Sequence, residues 1–288
     1  MSYSQPIGVF DSGVGGLSVV RQMLAQLPDE HIIYFGDTAR VPYGSRTPDE
    51  IIAFGEQIVS FLQRFDVKAV VAACNTSSSV SLPVLRERFH LPVLGVLEPG
   101  VRAALETTRN RRIGVLATAA TVNSGAFPRC FLAYDPGVTV HTQACPRFVP
   151  LVEAGRIDGP EVRAIARQYL QPLREAGVDT IVLGCTHYPF LAPVIRELAG
   201  DAIMMVDPAE ETVKELSALL ASLPLSSSRS TAGSADGQAA EPEGHRFFAS
   251  GAVNSFYSSG RQFLGDFPFQ VEQVNLSGID SKCSTGGL

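Results

Sequence analysis

The feature that most constrains this sequence is a repeated alternation of short β-branched segments with longer amphipathic ones. Four apolar segments, each followed by turn residues, are predicted to be buried strands: 7–10, 32–35, 69–72 and 93–96. The longer segments between them have the periodicity of helices. The same rhythm returns between residues 113 and 206. This alternation predicts an α/β fold of βαβ units, with mainly parallel sheets flanked by helices.

The second half of the pattern resembles a copy of the first. IGVFDSG, which begins at Ile7, matches IGVLATA, which begins at Ile113, at an offset of 106 residues. AVVAACNT, which contains Cys74, matches TIVLGCTH, which contains Cys185, at an offset of 111. GVLEPG matches MMVDPA at an offset of 109. Because these landmarks keep one order, the sequence predicts two pseudo-symmetric lobes with an active site in the cleft between them.

The predicted lobes divide the chain unevenly. Residues 1–98 and 209–288 are expected to form the first lobe with a C-terminal addition, and residues 99–208 the second. The segment 221–244 is rich in Ser, Ala, Gly, Pro and Glu, which predicts a flexible insert. The tail beyond it is expected to pack on the first lobe. Its predicted elements are strands at 246–250 and 269–274 and a helix at 253–264.

Composition and charge exclude several classes of protein. The 288 residues carry a net charge of −6 and no basic stripe, which argues against a nucleic-acid partner. No apolar run reaches the ~18 residues of a membrane span, and the N-terminal segment has no features of a secretory signal. Five cysteines without a CxxC pair favour a reduced, cytoplasmic protein.

Two cysteines give the strongest chemical signal. In open parallel sheets, ligands bind beyond the carboxyl ends of the strands. The residues that follow the predicted strands are Asp11-Ser12, Asp37-Thr38, Cys74-Asn75-Thr76, Thr118 and Cys185-Thr186-His187. The duplication places Cys74 and Cys185 at equivalent strand-to-helix elbows, where the helix N-terminus is expected to lower a thiol pKa. Cys130, Cys145 and Cys283 lack such a match and are assigned structural roles.

Other strand-end residues have two interpretations each. Asp11 and Asp37 could act chemically or cap helices, whereas His187 is a candidate proton partner for the neighbouring thiol. Asn75, Thr76 and Thr186 offer donors suited to carboxylates at helix N-termini.

Common cofactor motifs do not fit. DSGVGGLS has Ser18 where a dinucleotide fingerprint needs its third glycine, and it lacks the lysine of a P-loop. The spacing of Cys185 and His187 is too tight for ordinary zinc ligands, so no metal site is predicted.

Five segments together resemble the glutamate racemases, which are cofactor-independent amino-acid racemases. These segments are VFDSGVGGLSV, YFGDTARVPYG, ACNTSS, CPRFVPLVEAG and LGCTHYPFL. His187 follows the second Cys-Thr where aspartate racemases usually carry Glu, and the Pro42-Tyr43-Gly44 loop also resembles the glutamate branch. The insert at 221–244 departs from the usual family length.

The resemblance implies a role for each matching residue. It assigns catalysis to six residues: Cys74, Cys185, Asp11, His187, Asp37 and Glu153. In this assignment Asp11 assists Cys74, and His187 assists Cys185. It assigns substrate binding to Asp11, Ser12, Pro42, Tyr43, Gly44, Asn75, Thr76, Thr118, Thr121, Thr186 and His187.

Racemisation removes the α-proton from one face of the substrate and returns a proton to the other, so it needs one base on each side. The resemblance implies that Cys74 faces the α-hydrogen of D-glutamate, that Cys185 faces that of L-glutamate, and that no cofactor takes part. It also implies that the D-glutamate supplies peptidoglycan biosynthesis, and with it cell wall biogenesis and cell shape. We expect glutamate as the small-molecule substrate and a homodimer or a monomer–dimer equilibrium.

Three other functions remain open on the residues alone. The first is racemisation of aspartate or another amino acid. The second is a cysteine-dependent hydrolase or transferase with His187 as base, which leaves one of the matching cysteines unexplained. The third is a two-lobed solute-binding module without chemistry, against which the elbow thiols argue.

Overall fold

The computed structural model describes residues 5–223 and 244–276. Ten strands lie in this part of the chain: β1 (Ile7–Asp11), β2 (Ile32–Gly36), β3 (Ala69–Ala72), β4 (Val93–Gly95), β5 (Arg112–Ala117), β6 (Thr139–Ala144), β7 (Thr180–Gly184), β8 (Met204–Val206), β9 (Arg246–Ala249) and β10 (Val271–Gln273). It also contains twelve α-helices: α1 (Leu17–Gln26), α2 (Pro48–Leu62), α3 (Asn75–Val80), α4 (Leu82–Arg88), α5 (Leu97–Thr107), α6 (Ala119–Ser124), α7 (Ala126–Tyr134), α8 (Phe148–Glu153), α9 (Pro160–Glu175), α10 (Ala192–Ala199), α11 (Pro208–Ser222) and α12 (Val253–Leu264). Short 3₁₀ helices occur at Tyr43–Ser45, Gln63–Phe65 and Tyr188–Leu191.

The strands form two sheets in which every pair is parallel. The first has the order β10-β9-β2-β1-β3-β4 and the second the order β6-β5-β7-β8, so the second repeats the β2-β1-β3-β4 part of the first. Ile7 pairs with Ala69 in the first sheet, and the matching Ile113 pairs with Thr180 in the second. The two partners, Ala69 and Thr180, are 111 residues apart, which is the offset seen between Cys74 and Cys185 in the sequence. The two parallel sheets flanked by helices confirm the predicted α/β fold.

Burial explains why the central strands are so apolar. β1, β3 and β7 are buried along their whole length, as expected for parallel strands that are covered by helices on both faces. β6 lies at the edge of its sheet and is only partly buried. Its sequence, TVHTQA, is correspondingly polar.

A capping box fixes the start of α2, the helix that follows the loop at Pro42. The Thr47 side chain accepts a hydrogen bond from the Glu50 N–H, and the Glu50 carboxylate accepts one from the Thr47 N–H. Such caps contribute about 1 kcal/mol each. The capping box therefore fixes the residue at which the loop ends and α2 begins.

The two sheets share an apolar core. Its largest cluster contains Val9 of β1, Leu183 of β7 and Val213 of α11. Helix α11 packs against both α1 and α5. The carboxyl ends of β1 and β7 are thereby brought to one region of the molecule.

The tail extends the first sheet, because β9 pairs with β2 and β10 pairs with β9. The helix predicted at 253–264 is α12, with the same bounds. Most of the insert predicted at 221–244 lies outside the described residues, and α11 continues as far as Ser222. The exact division between lobes stays a prediction. Within the described ranges, no helix has both the length and the apolar character needed to cross a membrane.

Candidate active site

The carboxyl ends of β1, β3, β5 and β7 converge on one cavity of about 350 Å³. Both candidate thiols line it. The other residues expected from the sequence that line it are Ser12, Pro42, Tyr43, Gly44, Asn75, Thr76, Thr118, Glu153, Thr186 and His187. Three expected residues, Asp11, Asp37 and Thr121, lie behind this lining and contact it through hydrogen bonds.

Cys74 follows β3 at the residue that caps α3. Its side chain is 6% exposed, with Sγ 3.7 Å from the hydroxyl oxygen of Ser12. The backbone N–H groups of Thr76 and Ser77 also point to this sulfur. The thiol is therefore enclosed on the helix side and reached through the cavity.

Cys185 occupies the equivalent position after β7. Its Sγ lies 3.8 Å from Nδ1 of His187, whose Nε2 in turn lies 3.4 Å from a carboxylate oxygen of Glu153. His187 is buried, whereas the Glu153 side chain is 41% exposed. This thiol–imidazole–carboxylate chain connects Cys185 to the mouth of the cavity.

The expected lowering of the thiol pKa values by helix termini is wrong at both cysteines. Burial, together with the nearby Asp11 carboxylate, raises the pKa of Cys74 to about 11. Burial also raises the pKa of Cys185 well above its usual range. The hydrogen-bond donors act in the opposite direction but are outweighed, because desolvation penalises a thiolate more than the three donors at Cys74 or the one at Cys185 stabilise it. At neutral pH both residues are thiols.

This protonation state can be tested by alkylation. We expect the rate at which iodoacetamide modifies Cys74 to rise about tenfold per pH unit between pH 7 and 9, because only the thiolate reacts and its fraction grows as pH approaches the pKa. The measurement is mass spectrometry of the Cys74 peptide. Glutathione is the control, since an unburied thiol levels off near its pKa of ~8.5. A Cys74 rate already maximal at pH 7 would contradict a raised pKa.

Asp11 is fully buried at the end of β1, next to the cavity wall. Its carboxylate accepts a hydrogen bond from the Gly13 N–H at 2.9 Å and lies 3.5 Å from the Thr186 hydroxyl. Burial raises the pKa of Asp11, and the electrostatic interaction with His187 and the hydrogen bond from Gly13 act against this. A Cβ at Gly15 would lie 2.3 Å from the Thr186 hydroxyl oxygen, so only glycine lets this turn approach the second sheet so closely.

Asp37 is also buried, and it holds the loop that carries Pro42, Tyr43 and Gly44. The Tyr43 hydroxyl donates to Asp37 at 2.5 Å, and the Arg40 guanidinium lies 2.7 Å from the same carboxylate. Burial and this carboxylate raise the pKa of Tyr43 well above its usual range, so the phenol stays protonated. Asp37 thus acts on the cavity through Tyr43 and does not line it.

Three threonine hydroxyl groups meet beside the cavity. The Oγ1 atoms of Thr76, Thr118 and Thr121 lie 3.1–3.2 Å from one another. Next to them, the Asn75 side-chain oxygen is buried without a hydrogen-bond partner. These groups offer donors and an acceptor to a small polar ligand. The described residues that line the cavity include no Lys or Arg.

The sequence analysis missed part of the cavity wall. Cys145, which was assigned a structural role, lines the cavity together with Pro146, Val149 and Pro150. It directly follows β6, so the rule that ligands bind at strand ends would have identified it. Cys130 lies elsewhere, against the core of the second sheet, and Cys283 lies outside the described residues.

No cluster of three or more His, Cys, Asp or Glu side chains with metal-binding geometry is found in the described ranges. The cavity is lined by three buried thiols, one carboxylate, one imidazole and a set of hydroxyl and amide groups. Such a set can exchange protons with a small polar ligand and bind carboxylates by hydrogen bonds.

Comparison with protein families gives a match over most of the chain. Residues 7–216 match the model of the Asp/Glu/Hydantoin racemases. A glutamate racemase of Desulforudis audaxviator is 44% identical over 94% of this chain and 97% of its own length. That of Gloeobacter violaceus is 52% identical over 74% of this chain and 80% of its own length.

Solved structures resemble the fold over nearly its full length. A glutamate racemase isoform from Bacillus anthracis has a TM-score of 0.85 at 38% identity, covering 95% of this chain and 98% of the other. The Francisella tularensis glutamate racemase in complex with D-glutamate has a TM-score of 0.82 at 33% identity, covering 94% and 98%. An aspartate racemase homologue from Pyrococcus horikoshii shares the fold at 16% identity and a TM-score of 0.57 over 76% of this chain and all of its own.

Proposed function

Since the chain belongs to the Asp/Glu/hydantoin racemase family, and within it to the glutamate racemases, we propose that it interconverts L- and D-glutamate by two-base proton transfer through Cys74 and Cys185. The enzyme class, an amino-acid racemase, follows from the family. The observation that carries the mechanism is that both thiols, from equivalent strand ends, line the same cavity.

In the proposed reaction, one thiolate takes the α-proton and leaves the electron pair on the α-carbon, next to the carboxylate. The opposite thiol gives its proton to the other face of that carbon. The two sulfurs finish with exchanged protonation states, and the products need no redox change. In one direction Cys74 starts as the base, and in the other direction Cys185 does.

The raised pKa values mean that a thiolate has to form in the presence of substrate. A bound amino acid brings an ammonium group, and a positive charge within a few ångströms favours a thiolate. On the Cys185 side, the imidazole of His187 is placed to accept the thiol proton, with Glu153 stabilising the resulting imidazolium. On the Cys74 side, Ser12 lies within hydrogen-bond reach, and Asp11 is close enough to raise the pKa of Cys74.

The polar walls are suited to the groups of glutamate. We assign the α-carboxylate to the hydroxyl groups of Thr76, Thr118 and Thr121, and the ammonium to the region of Asp11. The remaining contacts are assigned to the other expected binding residues: Ser12, Pro42, Tyr43, Gly44, Asn75, Thr186 and His187. Hydrogen bonds, rather than an ion pair with Lys or Arg, would therefore hold the carboxylates.

Enclosure supplies most of the rate acceleration in this proposal. A turnover of about 10 per second corresponds to a barrier of ~16 kcal/mol. A helix terminus contributes only ~0.3–2 kcal/mol. Positioning of reacting groups and exclusion of water can contribute ~7–11 kcal/mol. Thiols that are 6–7% exposed and lie on one enclosed cavity fit this requirement.

The cellular role that we propose is the one that the resemblance to glutamate racemases implies. D-glutamate produced by the enzyme would supply peptidoglycan biosynthesis in a bacterial cytoplasm. Unpaired thiols at Cys74, Cys130, Cys145 and Cys185 are consistent with a reducing compartment. Homodimer formation stays a prediction.

The test is incubation of the protein with D- or L-glutamate in deuterated water, with no added cofactor. We expect optical rotation to disappear and deuterium to enter the α-position of the newly formed enantiomer. Polarimetry and mass spectrometry measure the two effects. A parallel incubation with L-aspartate separates the glutamate assignment from that of another acid. Recovery of unexchanged, optically pure glutamate from folded protein would refute the proposal.

A further inference from the structure

The buried carboxylate of Asp37 joins the C-terminal tail to the loop beside the cavity. Arg40 and Tyr43, on that loop, both contact Asp37. The third donor is the hydroxyl of Ser250, which lies 2.7 Å from Asp37 although it is 213 residues away in the chain. Ser250 directly follows β9, which pairs with β2 in the first sheet.

Ser250 and Gly251 make several bonds to the same turn. The Ser250 hydroxyl donates to Asp37 and accepts from the Ala39 N–H at 2.9 Å. The Gly251 N–H donates to the Thr38 hydroxyl at 2.9 Å. A Cβ at Gly251 would lie 2.7 Å from that hydroxyl oxygen, so the two segments are in close contact. The position of the turn is therefore fixed by the tail.

This turn leads directly into the cavity wall. Tyr43 is 2% exposed, and its ring packs with Ile51 and Cys74 in one apolar cluster. Its hydroxyl is occupied by Asp37 at 2.5 Å, so the position of the ring depends on the position of that carboxylate. Ser250 does not line the cavity itself.

We infer that Ser250 is a positioning residue for the racemase site, which acts through Asp37 to hold Tyr43 against Cys74. This inference rests on the proposed function. It implies that the C-terminal addition helps to position a residue of the active site. It also predicts that loss of one hydroxyl outside the cavity reduces turnover. Arg40 and Tyr43 still bind Asp37 in a Ser250→Ala variant, so we expect the fold to survive.

The experiment is a double-mutant cycle on glutamate racemisation. We expect Ser250→Ala to lower kcat/KM roughly tenfold, since misplacement by ~1 Å in an active site can cost 10²-fold. Tyr43→Phe, which removes the other end of the connection, should lower it by a similar factor. Because both changes break one connection, the double variant should fall well short of the product of the two single effects. Ser250→Thr, which keeps the hydroxyl, should retain most of the activity.

A control variant and the wild-type protein separate the possible results. Glu272→Gln breaks an ion pair with Arg246 in the same tail without touching Asp37, and it should leave kcat/KM within twofold of the wild type. If wild-type protein does not racemise glutamate, the proposed function fails. If the wild type is active but Ser250→Ala has no effect, or the two effects multiply fully, only the positioning role is refuted. Loss of activity in Ser250→Thr equal to that in Ser250→Ala would also refute it.

Discussion

Replacing either Cys74 or Cys185 with alanine is expected to abolish racemisation, with a loss of at least about 10³-fold in kcat/KM. Each variant keeps one base but lacks the acid on the opposite face of the substrate. General acid–base assistance alone accounts for about 10²–10⁴-fold, and a missing proton donor cannot be replaced by water in an enclosed cavity. Polarimetry with both enantiomers of glutamate measures the loss.

A third thiol serves as the matched control. Cys130→Ala removes a partly buried cysteine that packs against the core of the second sheet, so it should leave turnover within a few-fold of the wild type. Thermal unfolding should show that the Cys74 and Cys185 variants remain folded. Wild-type turnover in either of those variants would show that the two-base assignment is wrong.

The two directions of the reaction constrain how these variants are compared. L- and D-glutamate are mirror images, so the equilibrium constant is 1 and kcat/KM has to fall by the same factor in both directions. The roles of the two thiols therefore have to be separated by exchange. A variant that retains Cys74 should exchange the α-hydrogen of D-glutamate with solvent, without racemisation, in preference to that of L-glutamate. The opposite preference would reverse the assignment of the two faces.

Much of this fold could be predicted because each strand carries its own signal. β1, β2 and β3 are short, apolar and buried, so the sequence predicted β3 with its observed bounds and ended β1 and β2 one residue early. The internal offset between Cys74 and Cys185 then placed two thiols at equivalent strand ends. Parallel pairing brings strand ends to one edge of a sheet, which is why the candidate residues meet at one cavity.

What could not be predicted depends on depth and on distant contacts. The thiol pKa values depend on how completely the folded chain excludes water, and burial outweighs the hydrogen-bond donors at both sulfurs. The place of Cys145 was missed because β6 is a polar edge strand whose end is not marked by an apolar run. The bond between Ser250 and Asp37 joins residues 213 positions apart, and a serine carries no local signal of its partner.

Asp11→Asn is expected to slow racemisation by about 10²–10³-fold, within the range for loss of one acid–base partner. Asparagine has nearly the same shape and keeps an acceptor for the Gly13 N–H, but it carries no charge near Cys74 and the substrate ammonium. The loss should appear in kcat/KM for both enantiomers of glutamate. An Asn variant as active as the wild type would remove Asp11 from the mechanism.

The same substitution should change stability in a pH-dependent way. Burial raises the pKa of Asp11, so the folded protein holds this proton more tightly than the unfolded chain does. The cost of ionising Asp11 in the folded state is absent below the unfolded pKa of ~3.9 and grows as pH rises through the folded pKa. The asparagine variant has no such cost. Its free energy of unfolding, relative to the wild type, should therefore increase between pH 4.5 and 7.5.

Asp37→Asn provides the contrast, because that carboxylate is also buried but is paired with Arg40 and accepts bonds from Tyr43 and Ser250. Removing its charge leaves a guanidinium without its partner, so this variant should be less stable than the wild type at neutral pH. Urea unfolding of both variants at pH 4.5 and 7.5 measures the difference. If the stability of the Asp11 variant relative to wild type stays constant across this range, the buried carboxylate is not held at a raised pKa. In that case ionisation of Asp11 does not reduce the stability of the folded protein.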